Sequence, residues 1–354
     1  GESGKAPGAF DAVRTWDPIA GDEAKPGFTP NQLGNPNLGP ERTREAEIGL
    51  EASAFAGRFS VDMTYFNTTT SDALIQVRYP PSQGFLNRQL ENVGEVNNSG
   101  LEVKFDAGLI RRSNFDWRGR VNLTNLKSKA TDLGDEPLIA VGGSFTEVRV
   151  GYPVTSLFAR KILNAGALEA PVRSDTNVYI GPTWPTNILG LGTSLTLWDK
   201  VTIDGLGEFQ KGGYNINYVG YQGAIRGNWR PCYDAQRKII AVAKGQAGAA
   251  DGLTALERVR CGYNTTQNLA DAWIEKMDFF RLRYVTLSYR VPARWIPGSR
   301  GGTLSLAGRN LFLSTDYTGL DPESSDQQDS QVGRREYYNL PQLRSFSLSF
   351  RTNW

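Results

Sequence analysis

Apolar and polar residues alternate in twos along much of this chain, and the alternation is cleanest at its C-terminal end. Phe346, Leu348, Phe350 and Trp354 fall on one face, and Ser345, Ser347, Ser349, Arg351 and Asn353 on the other. That spacing predicts a β-strand with one apolar and one polar side. The same pattern recurs upstream. Ala46, Ile48, Leu50, Ala52 and Ala54 oppose Glu45, Glu47, Glu51 and Ser53, and after a tight turn at Ala56-Gly57, Phe59, Val61, Met63 and Tyr65 oppose Arg58, Ser60, Asp62 and Thr64. This predicts a hairpin. A second is expected from Leu101–Leu109 and Phe115–Leu123 around Arg111–Asn114, and a third around Asp199-Lys200. A fourth pairs Phe279–Val291 with Thr303–Leu313 across Pro292 and Pro297. Its first strand changes phase, with Leu282 and Tyr284 out of step with Val285, Leu287 and Tyr289, so a bulge, or a part facing packed protein rather than water, is expected there.

Nine strands result, and their connections sort into two kinds. Those near 56, 112, 199 and 296 are short; those near 85, 155, 245 and 328 are long, and the two kinds alternate. An up-and-down antiparallel sheet puts alternate connections on opposite rims, so one rim carries short turns and the other long loops. Ionised groups such as Glu47, Asp62, Lys104, Arg118, Asp204 and Arg351 keep to the polar faces. Both features are expected of an all-β, antiparallel transmembrane barrel with lipid outside and a wet lumen inside. A soluble β-rich protein would alternate too, but has no reason to keep the loop asymmetry.

Composition narrows the function classes. The 354 residues carry a formal net charge of +2, which gives no general attraction to nucleic acid. There is no His, so the usual general base and the commonest transition-metal ligand are missing, and an enzyme or a cofactor is not expected. No apolar run is long enough for a transmembrane helix, which leaves strands free to cross. The first residues are polar and rich in Gly and Pro and do not read as a leader.

Ordered motifs then carry a resemblance. They are Gly34-Asn35-Pro36-Asn37-Leu38-Gly39-Pro40-Glu41, Asn92–Glu102, Val150-Gly151-Tyr152-Pro153-Val154, Phe280–Tyr289, Gly308-Arg309-Asn310-Leu311-Phe312, Tyr317–Glu323, and the last strand after Tyr338-Asn339-Leu340-Pro341. Together they resemble the C-terminal part of a SusC/RagA-type TonB-dependent outer-membrane transporter. The resemblance implies a barrel of about 22 strands with a plug in its lumen. It further implies import of oligosaccharides or peptides, energy delivered by the TonB complex through the plug, and a SusD-like surface lipoprotein as partner. On this reading residues 1–42 are an extracellular loop segment and 43–354 the C-terminal part of the barrel. The extracellular loops cover 79–94, 129–181, 214–275 and 316–339. An odd strand number would leave two edges in lipid, so the rest of the barrel and the plug are expected either elsewhere in a longer chain or in the other segment of a split one. The alternative function is a soluble or surface-attached β-rich binding protein.

Four groups of residues are candidates for chemistry. Trp16, Tyr218, Tyr221 and Trp229 lie in long loops, where rings can stack on sugars or peptides. Aromatics nearer strand ends, such as Tyr214 and Trp273, suit an interfacial girdle. Cys232 and Cys261 share one loop; a disulfide is expected, with free thiols or a metal site as the alternatives. Asp321, Glu323, Asp326 and Asp329 concentrate carboxylates that calcium could bind, although EF-hand spacing is absent and a solvated loop is the simpler reading. Phe346, Leu348, Phe350 and Trp354 form the C-terminal aromatic strand expected to act as the barrel-assembly signal.

Overall fold

A computed structural model of the chain describes residues 7, 10–21, 25–77, 80, 82, 84–85, 87, 89–141, 145–246, 248, 251–262, 271–324, 335–352 and 354. Its largest element is a nine-stranded antiparallel sheet. In chain order the strands are β1 (Arg42–Ala54), β2 (Phe59–Val77), β3 (Gln89–Arg112), β4 (Phe115–Asp132) and β5 (Asn187–Leu197), followed by β6 (Val201–Lys211), β7 (Phe279–Val291), β8 (Gly302–Thr315) and β9 (Ser345–Thr352). Each strand pairs with its neighbours in sequence, so β1 and β9 form the two edges of an up-and-down sheet.

The register turns the sequence alternation into rows. Trp117 pairs with Leu195, Leu195 with Ile203, Ile203 with Leu287, Leu287 with Leu306, and Leu306 with Leu348. One step along the strands lies the row Asp116, Thr196, Thr202, Ser288, Ser305 and Ser349. Hydroxyls on that row bond to one another, Thr196 to Thr202 at 3.1 Å and Ser288 to Ser305 at 2.8 Å. The leucine row has no such internal partner. Leu306 and Leu348 are 49% and 72% exposed, the arrangement of a surface that meets lipid rather than a packed core.

The bulge on β7 resolves the change of phase. Leu206 faces Tyr284 and Gly207 faces Leu282, leaving Arg283 as the extra residue. Leu282 thereby stays with the apolar face, while Arg281 and Tyr284 take the polar one. On β8 the compensating irregularity falls at Asn310, whose φ is +51°. At the short-turn rim the backbone turns left-handed through Phe55, Ala56 and Gly57, and again at Trp198 and Asp199. Phe55, Trp198, Trp295 and Trp354 are all exposed there. This is the place and composition of an interfacial aromatic girdle.

Two compact units make up the chain: Gly1–Ile48, Tyr65–Gly100 and Leu126–Val154 form one, and Gly49–Thr64, Leu101–Asn125 and Thr155–Trp354 the other. In the first, residues expected to be an unstructured loop contain a hairpin, Thr15–Ala20 against Pro26–Gln32. Pro18, Pro26 and Pro30 mask it in the sequence, yet a two-stranded ribbon has free edges that tolerate proline. β2 and β3 also run further than the alternation implied, shortening the expected loop 79–94. Their distal ends are joined by polar side chains: Asn97 Nδ2 donates to Asn67 Oδ1 at 2.9 Å, and Asn92 Nδ2 to the Asp72 carbonyl at 2.8 Å. Strand ends bonded in this way need no apolar face, so the period-2 signal fades before the strand does. The second unit holds β5–β9, the other parts of β1–β4 and the connections treated next.

Candidate functional site

The connection between β6 and β7 folds into a helical part of the second unit, here called the cap, which packs on Ile162 and bonds to residues 160–168 of the preceding long connection. It opens with a strand, Tyr214–Asn217, and three helices follow: α1 (Tyr218–Ile225), α2 (Tyr233–Ala243) and α3 (Ala255–Arg260). Asn217 caps α1 by accepting from the Gly220 N–H at 2.7 Å. Gly220 is required by packing, since a Cβ there would lie 2.5 Å from the Trp273 ring. Thr254 and Glu257 form a reciprocal capping box on α3. Its hydrogen bonds hold the Glu257 carboxyl below the usual range. Tyr221, Ala224, Val259 and Trp273 pack with Cys232 and Cys261 into one buried cluster. A disulfide joins the two cysteines, with Cα atoms 5.2 Å apart. Closing that loop restrains the unfolded cap by about 3 kcal/mol in the chain-entropy model.

Leu253–Arg260 holds good helix formers and neither Gly nor Pro, and the structure has a helix there, Ala255–Arg260. α1 holds Gly220 and Gly223 and has almost no amphipathic pattern, whereas α2 carries neither Gly nor Pro and is clearly amphipathic. The all-β expectation holds for the sheet, and the cap adds helices to it.

Three buried charge clusters fasten the last long connection to cap and wall. Arg281 donates to Asp321 at 2.6 Å, with both side chains almost wholly buried. Arg283 reaches Glu323 at 2.7 Å and Glu208 at 2.5 Å. The bulge makes this possible by turning both arginines to the polar side. Glu275 accepts from Thr318 N–H and Thr318 Oγ1 at 2.7 Å each and pairs with Arg260. Glu336 accepts from the Tyr317 hydroxyl at 2.8 Å and from the Leu320 and Asp321 N–H groups at 2.6 and 3.2 Å. Burial pushes the Glu336 carboxyl above its ordinary range despite these bonds, and the neighbouring Asp321 charge adds to the rise.

These contacts correct the reading of the acidic loop as solvated: Asp321 is buried and Glu323 half-buried in ion pairs, which leaves few free oxygens for calcium. Asp321 is spent on Arg281 and on the Glu323 and Gln342 N–H groups, and Glu323 on Arg281 and Arg283. Asp326 and Asp329 lie outside the described residues. Among the described residues no group of three or more acidic or sulfur side chains could hold a metal.

The aromatic candidates separate in the same way. Tyr221 is buried against Trp273, with ring centroids 6.5 Å apart, so it offers no face to a ligand. Trp273 is 2% exposed, a core residue of the cap and not an interfacial anchor. Trp229 packs edge-on against it at 6.4 Å and is half-buried. Trp16 sits in the other unit, exposed, 6.3 Å from Phe85. Tyr218 is half-buried and packs against the cap core, and two exposed tyrosines adjoin it. Tyr337 lies 5.1 Å from Tyr218, and Tyr338 5.1 Å from Tyr337. Arg226 Nη1 donates to the Tyr338 hydroxyl at 2.9 Å. Tyr337 and Tyr338 follow directly on Glu336, whose buried bonds fix their position. The adjacent tyrosines at the end of a polar loop were the available signal.

Comparisons with known proteins agree with this architecture. The family model described as "TonB dependent receptor-like, beta-barrel" matches residues 1–311. TonB-dependent receptor P26 of Formosa agariphila is 27% identical over 91% of this chain and 35% of its own length. TonB-dependent receptor SusC of Bacteroides thetaiotaomicron is 24% identical over 82% of this chain and 30% of its own. The chain thus spans about a third of these relatives. Among solved structures, the RagAB peptide transporter superposes with a TM-score of 0.74 at 18% identity, covering 97% of this chain and 39% of that one. The RagAB importer in its open-open state gives 0.75 at 18% identity, over 98% of this chain and 38% of that one. The rows, the loop asymmetry and the family match lead to one conclusion: this chain belongs to the TonB-dependent receptor-like β-barrel family of the outer membrane.

Proposed function

We propose that the protein containing this chain imports large nutrient molecules, oligosaccharides or peptides, across the outer membrane. TonB acting through a plug supplies the energy, and a SusD-like surface lipoprotein delivers the ligand. The observation that carries the reading is the pairing of a polar wall with a structured cap. The polar rows of β5–β9 make a surface along which hydrated molecules move, while the apolar rows face lipid. At the long-loop rim the cap is built to stay folded, with a core completed by Ile162, capped helices and a disulfide. A bare pore needs no such domain; a receptor that selects its cargo does. The RagAB peptide transporter, which this chain resembles in fold, supports peptides as one of the two ligand classes.

The test is uptake by cells that make the whole transporter. Labelled ligand should enter only when both the transporter and TonB are functional, and the transporter should co-purify with one surface lipoprotein. Uptake that continues without TonB would contradict the reading. The alternative of a soluble binding protein is set aside by the family match.

A further inference from the structure

The rim of short turns carries a charge that the chain as a whole does not. Taking each turn with the two strand residues on either side, and the end of β9, gives the segments 53–60, 111–116, 196–202, 290–303 and 351–354. They hold eight Arg or Lys and two Asp, whereas the whole chain is only +2. One of the two acids, Asp116, is already paired with Arg118 at 2.7 Å. The exposed aromatics Phe55, Trp198, Trp295 and Trp354 share this rim.

Three of the cations lie on the longest of these turns, between β7 and β8. Its limbs touch, since a Cβ on Gly301 would stand 3.0 Å from the Val291 carbonyl oxygen and 3.4 Å from the Ala293 nitrogen. Ser299 Oγ fixes the tip, accepting from the Gly301 N–H at 3.1 Å and donating to the Ile296 carbonyl at 2.9 Å. Arg294 and Arg300 therefore stand one residue beyond the contact, on opposite limbs. Both are exposed, and neither side chain has an ion-pair partner among the described residues. The Trp295 ring lies 6.1 Å from that of Tyr289, and the Trp354 ring lies over Gly298. Tyr289 pairs with Leu304, and the exposed Leu287 and Leu306 continue the same apolar face away from the rim.

From this juxtaposition we infer that the β7–β8 turn is a binding site for an anionic phospholipid. Its phosphate sits between Arg294 and Arg300, and its acyl chains run along Tyr289, Leu287 and Leu304. Short turns of an outer-membrane barrel lie at the periplasmic leaflet, so the site faces lipid from that side. Guanidinium forks match phosphate oxygens, the leucine face takes hydrocarbon, and interfacial rings sit between the two at headgroup level. A soluble anion would use the arginines alone, and so would an acidic protein surface. The surplus of cations along the rim favours a headgroup of net negative charge over a zwitterionic one. The inference does not depend on what the transporter carries.

The experiment uses the whole transporter in bilayer discs of equal phosphatidylglycerol and phosphatidylethanolamine, with the lipids retained on release counted by native mass spectrometry. Phosphatidylglycerol should be retained over phosphatidylethanolamine by about tenfold, and the ratio should fall as salt is raised. Arg294→Gln with Arg300→Gln should lower that ratio at least about fivefold, while Arg294→Lys with Arg300→Lys keeps most of it. An unchanged urea midpoint in lipid verifies that the variants fold. Wild type supplies a second readout that needs no variant: a photoreactive phosphatidylglycerol should crosslink within residues 290–303. Equal retention of the two lipids, crosslinks only elsewhere, or a folded glutamine variant with the wild-type ratio would overturn the inference. Displacement of the lipid by inorganic phosphate at matched ionic strength would also overturn it, by reducing the turn to a site for free anions.

Discussion

Leu306 and Trp273 are both large apolar side chains, and the structure treats them in opposite ways. Leu306 lies in a row with Leu287 and Leu348 on the sheet and is 49% exposed, while Trp273 is 2% exposed in the cap. The sheet turns its apolar residues outward and its Ser and Thr inward on one wall, as a lipid-facing surface requires. The cap does what water demands and buries Trp273, Tyr221 and Val259 together. One stretch of sequence therefore obeys two solvents. The difference teaches that exposure of an apolar residue is informative only once the surrounding medium is known.

The largest expected effect comes from breaking the cap's core. Trp273→Ala should cost about 3–5 kcal/mol locally. Hydrogen exchange should then rise across 218–260 while the amount of transporter in the outer membrane is unchanged. Loss of the protein from the membrane would mean that cap and sheet are not separate in stability. Next, Leu306→Arg should cost about 2–4 kcal/mol at mid-depth, read as a lower urea midpoint in lipid. Ser305→Arg, one residue away on the polar face, should cost far less; equal costs would erase the distinction between the faces. Removing the helix cap with Thr254→Ala should cost about 1 kcal/mol, confined to α3 and measurable by exchange.

How much was legible follows the same division. The sheet could be read because lipid on one side and water on the other impose period 2 on every strand, as in Phe346, Leu348 and Phe350. Even the bulge at Arg283 left a trace, the displaced phase of Leu282 and Tyr284. The ends of β2 and β3 left none, since Asn67, Asn92 and Asn97 hold them by side-chain bonds without an apolar face. In the cap, Tyr221 and Trp273 looked like surface aromatics because their burial depends on residues from separate helices and turns. Asp321 and Glu323 looked like a free acidic cluster because Arg281 and Arg283, which neutralise them, lie 40 residues upstream.

A smaller prediction sharpens the boundary between the two regions. The folded state holds Glu336 above the ordinary carboxylate value of 4.5, with burial the main cause. A raised carboxyl favours the protonated form, so its contribution to stability is fully present below about pH 4.5 and is lost as pH rises through the higher, folded value. The Leu320 and Asp321 amides should therefore be better protected, after correction for intrinsic exchange, near pH 5 than near pH 7. Glu336→Gln should flatten that dependence. Protection that increases with pH at these amides in wild type, and not in the variant, would reverse the sign assigned to Glu336.

The leucine row faces lipid and the serine row faces water. Single cysteines at Leu287, Leu306 and Leu348, and at Ser288, Ser305 and Ser349, can be labelled with an environment-sensitive fluorophore in the whole transporter reconstituted in bilayers. The account predicts quenching by brominated lipid at the three leucine positions and by an aqueous quencher at the three serine positions. The same response at both rows, or the reverse, would contradict it.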